Sequence, residues 1–165
     1  MRFPSGSTVV KTALGGFCEL RLELGQIIYS SLLGFLMNIL FLDDDFNRCK
    51  MVQSLIPSAT IVKQASSAIS WLETESHWDF ISLDHDLGGE VMVDSDKPNT
   101  GMEVVRWIVE NRPKIDYIII HSFNPIGTLR MHHALYDAEY AVDNVPFNLA
   151  IYAGIADWLD AAHAG

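Results

Sequence analysis

Cysteine is scarce in this chain: Cys18 and Cys49 are the only two in 165 residues, and they form no CxxC pair. Two thiols so placed give no metal-ligand spacing and cannot build the framework of a disulfide-dense secreted domain, so a reducing cytoplasm is the simplest compartment. Positive charge is short as well. Eleven lysines and arginines stand against 21 acidic residues, a formal charge of -10. That balance repels nucleic-acid phosphates at long range and excludes a bulk nucleic-acid-binding surface. The longest apolar stretch, Ile27 to Leu42 (IIYSSLLGFLMNILFL), is preceded by Glu19 and Glu23 and followed by no small-x-small cleavage site. It is shorter than the roughly 20 residues a membrane helix needs, so no membrane partner is expected. Gly-rich phosphate loops, GxSxG elbows and HExxH pairs are missing too, which leaves serine-hydrolase and zinc-protease chemistry without a foothold.

What is present is enough apolar material for one ordinary core, 49% of the residues, without help from disulfides. From Asn38 onward, strand-like and helix-like segments alternate, the grammar of an α/β parallel sheet. The expected strands are NILFL (38–42), ATIVKQA (59–65), FISLD (80–84), YIIIHS (117–122) and a weaker YAVDN (140–144). The expected helices are 47–55, 66–75 with Ser66 as N-cap, 100–111, 126–137 and 148–162. Trp71, Trp78, Trp107 and Trp158 are explained by ordinary core packing, and His132 and His133 by a place on a helix surface. Met37 heads a self-sufficient sequence, MNILFLDDD. The chain therefore divides into an N-terminal extension, 1–36, read as a candidate non-native leader, and a domain over 37–165.

In an open parallel sheet, ligands sit beyond the carboxyl ends of the strands, where neighbouring connections diverge. Here three strand ends are polar: Asp43-Asp44-Asp45, Asp84-His85-Asp86, and His121-Ser122-Phe123-Asn124-Pro125. Carboxylates gathered so closely repel one another unless a cation neutralises them, and hard oxygen donors suit Mg²⁺, Mn²⁺ or Ca²⁺. His121 is a candidate for proton transfer, with Ser122 and Asn124 able to donate to phosphate oxygens. Because strand residues alternate faces, His85 should point away from the direction Asp84 and Asp86 share, in a supporting place. Leu87-Gly88-Gly89 opens a long irregular stretch, 88–99, directly after the most acidic strand end. Loops of that length in a compact domain are often functional.

With an acidic group after the first strand and an aspartate ending the third, the sequence over 38 to about 160 resembles a response-regulator receiver domain. The resemblance implies a doubly wound, flavodoxin-like five-stranded parallel sheet of order 2-1-3-4-5. It also implies Mg²⁺ held by Asp43 and Asp44, with Asp84 in the phosphoryl-accepting place and Ser122 ending the fourth strand. One position departs from the pattern: Val145 stands before Pro146 where receivers have lysine. The words ISLDHDLG (81–88), Thr100-Gly101 and HSFNPIG (121–127) resemble a narrower group, the cyclic-phosphate-processing receiver domains. That resemblance implies a metal-dependent phosphoesterase acting on cyclic phosphate ends of RNA or small nucleotides. Asp43, Asp44 and Asp84 would hold Mg²⁺ or Mn²⁺. Asp84, Asp86 and His121 would be catalytic, and Ser122, Asn124 and His85 would serve the substrate. The alternatives are a phospho-accepting or degenerate signalling receiver and a non-catalytic nucleotide-binding module.

Overall fold

The structure is a computed structural model that describes residues 37–164, so the segment 1–36 and its reading as a leader lie outside the described residues. Five strands alternate with helices. They are β1 (Ile39–Leu42), α1 (Phe46–Leu55), β2 (Thr60–Val62), α2 (Ala65–Thr74), β3 (His77–Leu83), α3 (Gly101–Asn111), β4 (Lys114–Ile120), α4 (Pro125–Asp137), β5 (Val142–Asn144) and α5 (Leu149–Ala164). The sheet order is β2-β1-β3-β4-β5, and every pairing is parallel. This is the doubly wound order implied by the receiver resemblance.

Alternation along the strands sorts residues between two faces. Leu40, Leu42, Ile81, Leu83, Ile118 and Ile120 pack with residues of α2, α3 and α4. Phe41 and Ser82 face the other way, toward Tyr152 of α5. All four residues of β1 are buried, as expected of a strand covered on both sides.

Local signals set the helix starts that matter for the site. Asp45 caps α1 by accepting from the Arg48 amide at 2.8 Å, and Asn124 caps α4, with Pro125 at its first turn. The expected cap Ser66 is corrected: α2 begins at Ala65 after Gln64, and the Ala65 amide is satisfied by Asn99 Oδ1, 34 residues away. β2 stops at Val62 rather than 65, while β3 and β4 begin three residues earlier than their apolar runs suggested. Trp78 is buried as expected; Trp71 is not, with 44% of its surface exposed.

Candidate functional site

Sheet parity brings the chemistry to one side. Asp43 follows Phe41 and Asp84 follows Ser82 in the same alternation, and His121 continues β4 beside them. Asp43, Asp84 and His121 each offer a ligand atom, and these atoms lie within 4.8 Å of one another. All three residues are at least 95% buried. A second set, His77, Asp79 and Asp116, lies at the opposite ends of β3 and β4, where Asp79 already accepts from the Asn38 amide.

The carboxylates are bridged by a residue that the sequence reading passed over. Arg48 Nε donates to Asp43 Oδ2 at 2.5 Å, while Nη2 donates to Asp43 Oδ1 and to Asp84 Oδ2, each at 2.8 Å. Its guanidinium also lies 5.9 Å from the Phe147 ring centre. One signal could have flagged it: Arg48 sits in the first turn of α1, where the helix dipole disfavours a cation, so something else must hold it there.

Behind this bridge, His121 is fixed at both ring nitrogens. Nε2 lies 3.2 Å from Asp43 Oδ2 and Nδ1 lies 2.8 Å from Ser82 Oγ, which in turn meets the Tyr152 hydroxyl at 2.8 Å. Phe41 stacks on the imidazole at 4.8 Å and 5°. In front lies a cavity of about 420 Å³, whose lining includes Arg48, Asp84, Ser122, Phe46, Phe123 and Val91 but neither Asp43 nor His121. Ser122 Oγ accepts from the Asn124 amide at 3.2 Å, and its hydroxyl faces the Asp84 carboxylate.

Residues 38–137 match the cyclic-phosphate processing receiver domain. The chain belongs to that family. Among solved structures, it is similar to a response regulator from Colwellia psychrerythraea, with 16% identity, a TM-score of 0.52, and coverage of 78% of this chain and 98% of that one. A putative two-component response regulator/GGDEF domain protein shares 16% identity at a TM-score of 0.50, over 83% of this chain and 54% of that one. The beryllofluoride-activated DrrB receiver domain shares 20% at 0.48, over 76% and 97%. No curated protein matches the sequence.

Against the receiver pattern, the cation paired with Asp84 among the described residues comes from α1 instead of β5. Val145, where the pattern has lysine, is half-buried and donates its amide to the Ile120 carbonyl. Arg48 supplies the positive charge.

Four expected site residues are engaged elsewhere. Asp44 lines the cavity but stands outside the close donor set, because its carboxylate accepts from the Gly89 amide. Asp86 Oδ1 accepts from Asn124 Nδ2 at 2.8 Å and the Val93 amide at 3.1 Å, and Oδ2 accepts from the Met92 amide at 2.6 Å. Asp86 thus anchors the 88–99 loop while also lining the cavity. Asn124 uses its carbonyl on Gly127 and its amide on Asp86 and Val93. His85, fully buried, pairs with Asp86 at 2.7 Å and Ser95 at 3.0 Å, pointing away from the cavity as strand alternation predicted. A side chain on Gly127 would fall 2.4 Å from the His85 ring. Gly88 and Gly89 both have positive φ, +80° and +77°, a conformation that suits glycine in the turn after Leu87.

The two central carboxyls are driven in opposite directions. Burial raises Asp84, and the His121 ring and Ser122 hydroxyl offset only part of it. Burial also pushes Asp43 upward, but hydrogen bonds with His121, Arg48 and the Asp45 amide outweigh it and leave Asp43 below the ordinary range. Asp43 is therefore the fixed negative charge and Asp84 the carboxyl more ready to take a proton. Cys49, buried beside Asp43, has its thiol pushed up to about 11 and donates to the Asp43 carbonyl at 3.0 Å. It is a structural thiol, not a nucleophile. Among the described residues, no helix is long and apolar enough to cross a membrane.

Proposed function

We propose that this domain is a metal-dependent phosphoesterase that opens cyclic phosphate ends of small nucleotides or RNA in the cytoplasm. The observation that carries the reading is the meeting of Asp43, Asp84 and His121 beside a cavity that presents Arg48 and Ser122. The family's description as cyclic-phosphate processing supports it. The donor set fits a divalent cation: two buried carboxylates suit Mg²⁺ or Mn²⁺, and an imidazole donor favours Mn²⁺ of the two. The Ser82–Tyr152 hydroxyl pair behind Nδ1 is the kind of partner that fixes the ring of a metal-ligating histidine. Bound there, the metal would polarise a phosphoryl oxygen and acidify water.

The chain's own residues do the rest. Asp43, ionised, keeps the site negative enough to attract a cation, and Asp84 shares that work at the cavity wall. The Ser122 hydroxyl donates to a phosphoryl oxygen. Phe46 and Phe123, 67% and 66% exposed at the cavity, offer faces on which a nucleobase can stack. Ring opening adds one water across phosphorus: a P–O ester bond breaks, and the departing ribose oxygen takes a proton. His121 contributes behind the cavity wall: Nε2 would be the donor to the metal, giving up its contact with Asp43, while Nδ1 keeps its Ser82 partner. The ring is only 1% exposed, so it acts from within that wall.

Purified protein supplied with Mn²⁺ or Mg²⁺ should convert 2′,3′-cyclic nucleotides to monophosphates. Asp84→Asn and His121→Ala should each lower kcat/KM by about 10²-fold or more while circular dichroism stays unchanged. Absence of turnover over a panel of the four cyclic nucleotides, with metal shown to be bound, would sink the proposal.

A second reading is favoured by one contact. Arg48 Nη2 on Asp84 puts a cation where an acyl phosphate on that aspartate would need it, so Asp84 could accept a phosphoryl group in signalling. A base-labile mass increase on Asp84 after treatment with acetyl phosphate would establish that reading, and its absence would dismiss it.

A further inference from the structure

The bridge made by Arg48 uses lone pairs that a metal would need. Both oxygens of Asp43 and Oδ2 of Asp84 accept from its guanidinium. A divalent ion held by the same carboxylates would stand within a few ångströms of that group, and like charges so close repel strongly in a poorly solvated site. Arginine and metal therefore compete for the same oxygens.

Arg48 also has somewhere to go. Its side chain is 23% exposed and lines the cavity together with Ser122, and its ring neighbour Phe147 lies on one side at 5.9 Å without enclosing it. We propose that Arg48 is an exchangeable counter-ion: it holds Asp43 and Asp84 until a divalent cation enters, then turns into the cavity and grips the phosphate of the substrate. The inference deepens the proposed function, since it rests on the reading that this site takes a metal.

With only Arg48 present, the two carboxylates carry one uncompensated negative charge, which resists any anion. Once a divalent ion has neutralised them, the released guanidinium is a free single positive charge whose planar fork matches two phosphoryl oxygens. A phosphoryl group offers those two oxygens. Metal and phosphate should consequently bind cooperatively, each strengthening the other by the same factor.

Three measurements test this without relying on turnover. In wild-type protein, the Arg48 Nε–H resonance, held by Asp43 before metal is added, should shift or broaden into solvent exchange as Mg²⁺ is titrated. A resonance unmoved at saturating Mg²⁺ overturns the proposal. Arg48→Gln and Arg48→Ala should bind Mn²⁺ about tenfold more tightly by calorimetry or free-Mn²⁺ resonance, because their competitor is gone. Unchanged or weaker Mn²⁺ binding in folded variants, or no metal binding in wild type and variants alike, overturns it too. With Mn²⁺ saturating, inorganic phosphate should bind wild type about tenfold more tightly than either variant, and equal binding would remove the second half of the proposal. A protein that passes all three yet leaves cyclic nucleotides intact keeps the exchange and loses the phosphoesterase reading.

Discussion

Ser82 sits in β3 between Ile81 and Leu83, both fully buried on the opposite face, and its hydroxyl joins His121 Nδ1 to the Tyr152 hydroxyl. A serine in such a place is a net loss for packing, so its hydrogen bonds are what justify it. Replacing it with alanine leaves the imidazole nitrogen and the phenol without their shared partner in a dry setting. Ser82→Ala should cost about 1–3 kcal/mol in urea unfolding and weaken Mn²⁺ binding by about 10–100-fold, as loss of a ligand-orienting partner does. Tyr152→Phe removes only the outer link, since the Ser82 hydroxyl keeps His121. It should lower stability by about 1 kcal/mol and leave Mn²⁺ affinity within about threefold. Equal losses in the two variants would show that the pair acts by packing alone and does not orient the ring.

The 88–99 loop is held at several points by side chains of the strand ends. Asp44 takes the Gly89 amide, Asp86 takes the amides of Met92 and Val93, and Ser95 meets His85. Burial pushes the Asp86 carboxyl up, but hydrogen bonds from Asn124, His85, Met92 and Val93 outweigh it and leave it below the ordinary range. A carboxyl lowered on folding stabilises above its unfolded value near 3.8, and that contribution is lost as pH falls through the lower folded value. Hydrogen-exchange protection of the Met92 and Val93 amides should therefore collapse in acid before that of β3. Asp86→Asn should show the low-pH behaviour at neutral pH, and identical protection in both proteins at pH 7 would refute the anchoring role. These anchors also explain what the sequence could and could not disclose. Apolar runs ending in acids announced β1 and β3, and parallel-sheet geometry placed their ends together, so Asp43, Asp84 and His121 were legible. Side-chain chemistry offered Asp44 to a metal, Asp86 to catalysis and Asn124 to phosphate oxygens, but did not disclose that loop amides and Gly127 would meet them. Ser82 and Tyr152 were invisible because they meet partners 39 and 70 residues distant, and Arg48 because nothing in a lone basic residue says which carboxylates its fork will reach.

Across the whole chain, the formal charge of -10 makes the protein repel the class of molecule it is proposed to process. Arg48 is the cation at the mouth of the site, and it can compensate one phosphate, not a backbone of them. A mononucleotide meets the repulsion once. An oligonucleotide with the same cyclic end carries further phosphates over the acidic surface, and each adds to the work of approach. Raising ionic strength from about 0.01 M to about 0.15 M shortens the screening length from about 30 Å to about 8 Å, which removes repulsion from distant phosphates and leaves the contact at Arg48 largely intact. The ratio of kcat/KM for a cyclic-ended RNA of about 20 nucleotides to that for its terminal cyclic mononucleotide should rise by about threefold or more over this range. A protein that tracked RNA along a basic groove would behave in the opposite way, since phosphate contacts weaken as salt increases. A falling ratio would thus reveal an RNA-binding surface that the composition denies, and would recast the cavity as the end of a longer track rather than a pocket for one terminal nucleotide.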